Sequence, residues 1–151
     1  MLPPNPVRTL SLLTEFTRKA VARAADHPRT AAASGLHVAS TGDVDDALHW
    51  PMCTVQIMSA MPVANGPYGE AVRARVRFVV EDTDLDRAED AAVALSAALV
   101  DCWRKSPKVS EGWVTGLEVE EDPIPSTYMG DTNDRGRLNL IALFVLRKGA
   151  L

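Results

Sequence analysis

The residues of this chain best suited to chemistry are a polar hexapeptide, "DTNDRG" at 131–136, a cluster of acids around Asp84, three histidines, two cysteines and three alternating arginines. Asp131, Asn133 and Gly136 fall at positions 1, 3 and 6 of a helix–loop–helix calcium loop, where oxygen ligands and a sharp turn are required. Position 5 is Arg135, however, and position 12, which should be a bidentate glutamate, is Ala142. An apolar run of strand character follows the hexapeptide in place of a helix. The segment therefore reads as a polar loop whose Asp and Gly serve turn geometry, and no metal is expected.

The remaining catalytic inventory is thin. His27, His37 and His49 lie in loop-like or weakly structured sequence, with no HExxH or related spacing. No GxSxG elbow, GxxxxGK[ST] phosphate loop or GxGxxG fingerprint is present, and "NGPYG" at 65–69 is a turn signal. Asp84, Asp86, Glu89 and Asp90 open a helix, where capping and the helix dipole account for them better than acid–base chemistry does. Cys53 and Cys102 fall on apolar faces and are expected to pack as small hydrophobes, which suits a reducing cytoplasm. Trp50, Trp103 and Trp113 could equally line a ligand pocket or anchor an interface. No catalytic residue and no cofactor is expected.

Composition narrows the function classes further. With 151 residues, 46% hydrophobic and 24% charged, the chain is expected to form a single domain, 1–151, with a real core. The net charge of −4 divides as 0, −3 and −1 over residues 1–50, 51–100 and 101–151, so no basic arm for nucleic acid is present. No apolar run approaches the roughly 20 residues of a membrane span, and the start, "MLPPNPVRTLSLL", lacks the basic region and apolar core of a secretion signal.

The elements that would position these residues follow from periodicity. Asn5 and Pro6 begin a helix with Leu10, Leu13, Thr17, Val21 and Ala24 on one face, widened by Phe16 and Ala20, ending near Ala25. Residues 26–50 form a long polar loop with a short strand at 36–39. "CTVQIMSAM" alternates as a strand, and "PVANGPYG" supplies turn residues. "EAVRARVRFVVED" then keeps a strict period of two, with Val72, Ala74, Val76, Phe78 and Val80 facing one way and Arg73, Arg75 and Arg77 the other. Capped by Thr83 or Asp84, a second helix carries Leu85, Ala88, Ala92, Leu95, Leu99 and Cys102 on one stripe. A strand "WVTGLEVEED" follows, turning Leu117 and Val119 inward and Glu118 and Glu120 outward, and is expected to break at Pro123 and Pro125. The order α–β–β–α–β–β predicts an α+β fold: an antiparallel or mixed sheet of about four to five strands with two main helices packed on one face.

Two strands carry partner signals. The last strand is apolar on both faces, with Leu138, Leu140, Ala142, Phe144 and Leu146 on one and Ile141, Leu143 and Val145 on the other. Two helices offer little material to cover both, which predicts a homo-oligomer. Aspartate at Ile141 or Leu143 is then expected to disrupt assembly or folding, by burying an unpaired charge. The arginine stripe is read as a cross-strand ladder with Glu118 and Glu120 or a subunit contact, in preference to a DNA-facing strand. Arg73, Arg75, Arg77, Ile141, Leu143 and Val145 are accordingly the candidate subunit or DNA-channel contacts.

The succession "WPMCTVQIMSAMP", "EAVRARVRFVVED", "DLDRAEDAAVALSAALVDCW" and "EVEEDPIPSTYMGDTNDRGRLNLIALFVLRK" resembles the tail terminator proteins of long-tailed bacteriophages, in element order and character over residues 5–148. The long polar 26–50 segment departs from that pattern. The resemblance implies a small α+β subunit of a hexameric ring at the head-proximal end of the virion tail, assembled in the host cytoplasm. Such a ring stops polymerisation of the tail tube protein and meets a head-side connector protein, with DNA passing through it without sequence recognition. It carries over no functional residue. The alternatives are another head–tail joining protein, or a small cytoplasmic enzyme or ligand-binding domain with a pocket near Trp50 or Trp113.

Overall fold

Pro6 opens the first helix, α1 (Pro6–Ala24), where its missing N–H falls at a position with no intrahelical partner. The computed structural model describes residues 6–40, 51–66, 69–110, 112–125 and 136–148; the capping position expected at Asn5 lies outside them. Leu13, Phe16, Thr17, Ala20, Val21 and Ala24 form the buried face, as the spacing predicts. Thr17 enters that face because its hydroxyl donates back to the Leu13 carbonyl at 2.7 Å, so no polar atom is left bare. Thr30 closes the other end, donating to the Ala24 carbonyl at 2.7 Å, one of the acceptors a helix terminus leaves unpaired.

A 3-10 turn at Ala31–Ala33 leads to β1 (His37–Ser40), one residue displaced from the short strand expected at 36–39. The β2 (Met52–Gly66) and β3 (Gly69–Asp82) strands form a hairpin longer than its turn residues suggested. Pro62 is absorbed because it sits on a stretch of β2 that pairs with β3 only; β1 pairs no further than Val55. The second helix, α2 (Leu85–Lys105), is followed by β4 (Lys108–Val109), β5 (Gly112–Pro125) and β6 (Gly136–Lys148). β5 runs past Pro123, where a break was expected, and ends at Pro125, with register irregularities between Glu121 and Ile124.

Asp84 is the residue that caps α2. Its carboxylate accepts the Asp86 N–H at 3.0 Å, while Thr83 is drawn into a turn in which its own N–H and hydroxyl donate to Asp82. Losing such a cap costs about 1 kcal/mol. Asp84→Ala is therefore expected to lower the unfolding free energy by about that amount in a urea titration, with Asp84→Asn nearly neutral. Ala88, Ala92, Leu95, Leu99 and Cys102 are buried as predicted, but Leu85 is 47% exposed. It occupies the first turn, where its backbone lies against the start of β6 while the residue stays half open to solvent. Ala91, Ala94 and Ala98 are buried as well, and the small side chains let α1 and the 3-10 turn lie close against the flank of α2.

The strands form one six-stranded mixed sheet in the order β1–β2–β3–β6–β5–β4, with only β1–β2 parallel. The fold is α+β, two helices against one face of the sheet, with one strand more than the expected four to five because the two-residue edge piece β4 is too short to show a period. The core lies between helices and sheet and centres on Phe16, Phe78 and Phe144. β6 runs through the middle of the sheet; the helices cover its inner face, and Ile141, Leu143 and Val145 line the outer one. Side chains of α1 tie down both edges: Arg18 donates to the Val38 carbonyl at 3.2 and 3.3 Å, and Glu15 accepts from the Ser110 N–H and hydroxyl at 2.9 and 2.7 Å.

Candidate functional site

The six residues singled out from the sequence come together on the sheet face turned away from the helices. β3 and β6 are antiparallel neighbours, and the register sets Arg73 opposite Val145, Arg75 opposite Leu143 and Arg77 opposite Ile141. Directly opposed residues project to the same side, so the six form a block of three basic–apolar pairs. Met61 extends the row on β2 beside Arg73, and Trp113 sits beside Arg147 on β5. The Lys108 ammonium lies 5.5 Å from the centroid of the Trp113 ring, a cation–π distance.

The arginines do not form a simple ladder with neighbouring acids. β6 lies between β3 and β5, so an acid on β5 is two strands away. Arg75 nevertheless reaches over β6 to Glu120, Nε to Oε2 at 2.7 Å. No ion pair engages Arg73 or Arg77 among the described residues, and the Arg77 Nε is buried with no hydrogen-bond partner there. A guanidinium donor hidden from water without an acceptor is costly. Among the described residues the face thus carries a buried charged donor, the Arg77 Nε, with no acceptor.

Its apolar half is unevenly covered. Ile141 is only 7% exposed within this single chain, whereas Leu143 and Val145 are half-buried. Burial of a lone charge therefore applies to Ile141 first, and the register changes which charge is lone. Aspartate at 141 would face Arg77 and find a partner, so Ile141→Asp is milder than the apolar pattern alone suggested. Lysine there meets the same guanidinium as a like charge in a buried setting. Ile141→Lys is expected to cost about 3 kcal/mol or more, and Ile141→Asp clearly less, when the two are compared by urea denaturation.

Other sequence candidates are dispersed. His27 and His37 are exposed, and the His27 Nδ1 accepts the Arg29 N–H at 3.1 Å within a turn. Burial pushes the Cys53 thiol up to about 12. Burial also raises the Cys102 thiol, against the opposing pull of Lys19 and Arg23. Both sulfurs are buried and free, packed in the core as small hydrophobes. Trp103 packs partly buried against the core and Trp113 is 42% exposed. His49, Trp50 and residues 131–135 of the polar hexapeptide lie outside the described residues. Among the described residues no group of His, Cys, Asp and Glu could hold a metal ion, and no helix is long and apolar enough to cross a membrane.

Two features were missed from the sequence. One is the reach of Arg75 across β6, which depends on strand order. The other is Gly136, read as a turn residue but placed at the first position of β6 against the start of α2.

No protein-family model matches the chain, and no curated protein matches it. Among solved structures, a chain in the virion of the native gene transfer agent (GTA) particle is similar, with a TM-score of 0.51 at 18% identity. The similarity covers 87% of this chain and 94% of that one. The bacteriophage SPP1 gp17 protein aligns over 93% of this chain and 96% of its own at 17% identity, with a TM-score of 0.36, too low to rest an argument on. At such identities the first similarity speaks for the fold: this α+β arrangement, almost end to end, is also that of a chain in an assembled particle.

Proposed function

We propose that this chain is a structural virion protein: the subunit of a ring that caps a phage tail tube, ends its polymerisation and joins the tail to the head-side connector. The observation that carries the reading is the fold shared with a gene transfer agent virion chain over 87% of one and 94% of the other. Supporting it is the outer sheet face, where β6 sets Ile141 and half-buried Leu143 and Val145 beside Arg77 and Arg73, neither of which has an ion pair among the described residues. In this reading the ring is a homo-oligomer, a hexamer by the family resemblance, that meets the tail tube protein on one side and the connector on the other. DNA passes through it without sequence recognition, and the chain works by assembly, with no catalytic step.

The reading is tested first by mass measurement and negative-stain imaging of the purified protein at high concentration. Six-fold rings support it, and a stable monomer that binds a small molecule overturns it in favour of a ligand-binding domain. Deletion from the phage then separates the two virion roles. Tails of uncontrolled length mark a terminator; headless tails of correct length mark a neighbouring joining protein.

A further inference from the structure

We propose that successive copies in the ring meet head to tail, the exposed flank of α2 on one copy lying across the arginine-bearing sheet face of the next. The inference rests on the ring reading and adds which surface meets which. Among the described residues the exposed large apolar side chains fall into two groups. Leu85 and Val93, the latter 55% exposed, belong to α2; Met58, Met61 and Trp113 belong to the sheet. Met61 and Trp113 border the block of basic–apolar pairs, and Met58 sits at a bulge of β2 nearby.

α2 is apolar on more than its core side. From Ala91 to Val100 its only polar residue is Ser96, and Val93 is exposed while Ala97 and Val100 are half-buried. A helix apolar all round is normally covered on every side. Along the same stripe, one turn toward the N-terminus, stand Asp86, Glu89 and Asp90, all exposed. None of the three takes part in an ion pair among the described residues. An acidic start followed by an apolar strip thus runs along one helix flank.

The sheet face offers the converse. Among the described residues Arg73 and Arg77 have no ion pair and the buried Arg77 Nε lacks an acceptor, while Leu143 and Val145 are half-covered between Met61 and Trp113. The lengths agree. Asp86 to Val100 is about 21 Å along a helix, and Arg77 to Ala71 is about 20 Å along a strand. With the acids at the Arg77 end, Val93, Ala97 and Val100 run over Leu143 and Val145 toward Trp113. Because α2 and this face lie on opposite sides of one sheet, the contact joins two different patches. Such heterologous contacts build rings, whereas self-complementary patches stop at dimers.

The test is a charge exchange in the full-length protein. R73E/R77E makes the sheet face acidic, and D86K/D90K makes the helix flank basic; Arg75, already paired with Glu120, is left alone. Each double variant is expected to lose rings, with at least tenfold weaker association by sedimentation velocity. An equimolar mixture is expected to regain them, since both junctions of an alternating ring are then oppositely charged. The quadruple variant should form rings alone. Val93→Glu, at an exposed site, gives an independent check that does not touch the arginines and should also weaken rings tenfold or more. Circular dichroism establishes that each variant is folded. Double variants that assemble like wild type, or a mixture that fails to rescue, overturn the head-to-tail contact while leaving the ring reading standing. Rings that persist but lose retention of a short DNA duplex overturn it in favour of arginines facing nucleic acid. A wild type that never forms rings sinks the underlying reading itself.

Discussion

Phe144→Ala is expected to cost about 3–5 kcal/mol, the range for removing a fully buried phenylalanine, and to leave the protein marginally folded at room temperature. Phe144 is 0% exposed on the inner face of β6, the strand through the middle of the sheet. Its ring meets Phe16 of α1 edge-on, centroids 5.9 Å apart, and Phe78 of β3 at 6.0 Å. One side chain thus joins the first helix, the hairpin and the last strand. Its register neighbour on β3 is Ala74, also fully buried, so a large ring stands beside a small side chain. Alanine at 144 would set two alanines side by side with nothing long enough to fill the gap, and the cavity term adds to the lost transfer energy. Total stabilities of domains this size are about 5–15 kcal/mol, so the loss takes a large share. Phe144→Leu keeps most of the volume and should cost less than about 1.5–2 kcal/mol. Urea titrations with matching slopes give both values. A loss below about 1.5 kcal/mol for the alanine variant would mean that the core does not centre on this contact.

The parts of this fold that could be read in the sequence are those where one face repeats without interruption. The inward face Val72, Ala74, Val76, Phe78 and Val80 and the stripe Ala88, Ala92, Leu95, Leu99 and Cys102 are buried as read, although Val79 on the opposite face of β3 is buried too. Leu138 to Leu146 announced a strand with two apolar faces; the inner one is buried beneath the helices, and the outer one lies between β3 and β5 with Leu143 and Val145 half-buried. That order could not be read, because periodicity says which side a residue faces and nothing about which strand lies next to it. The arginines and glutamates share a face as expected, yet Arg75 meets Glu120 only by spanning a strand. Irregular register is the second loss. Between Val114 and Gly116 β5 shifts by one position, so Val114 and Leu117 both turn toward the core although three residues apart. A period-two reading starting at Trp113 puts them on opposite faces. The candidate contact residues were legible as two separate patterns, and their direct pairing across β3 and β6 was not.

Gly136→Ala should be nearly as damaging as the loss of Phe144, for the opposite reason. Gly136 ends the hexapeptide that resembled a calcium loop, where glycine would be needed for a sharp turn. In the structure it is the first residue of β6, paired with Asp82, and the requirement is space. A Cβ there would collide with the Leu85 Cα, and would come within 2.8 Å of the Leu85 N and 3.0 Å of the Ala88 Cβ. The first two are backbone atoms at the N-terminus of α2, held by the Asp84 cap and the first turn, so neither can swing aside as a side chain tip would. Relief requires moving β6 away from α2 or unwinding the first turn, and either shift also disturbs buried Ala88 and Leu138. Overpacking a tight site costs about 1–3 kcal/mol, and contact against backbone places this case at the upper end. The expected result is a loss of about 3 kcal/mol in urea denaturation, unaltered by adding calcium or a chelator. Shaving the opposing side chain through Ala88→Gly should recover little, because the main collision is with Leu85 backbone. Full recovery by that second change would locate the clash in side chains and contradict the close approach of β6 to α2. A calcium-dependent recovery would return the glycine to a metal loop.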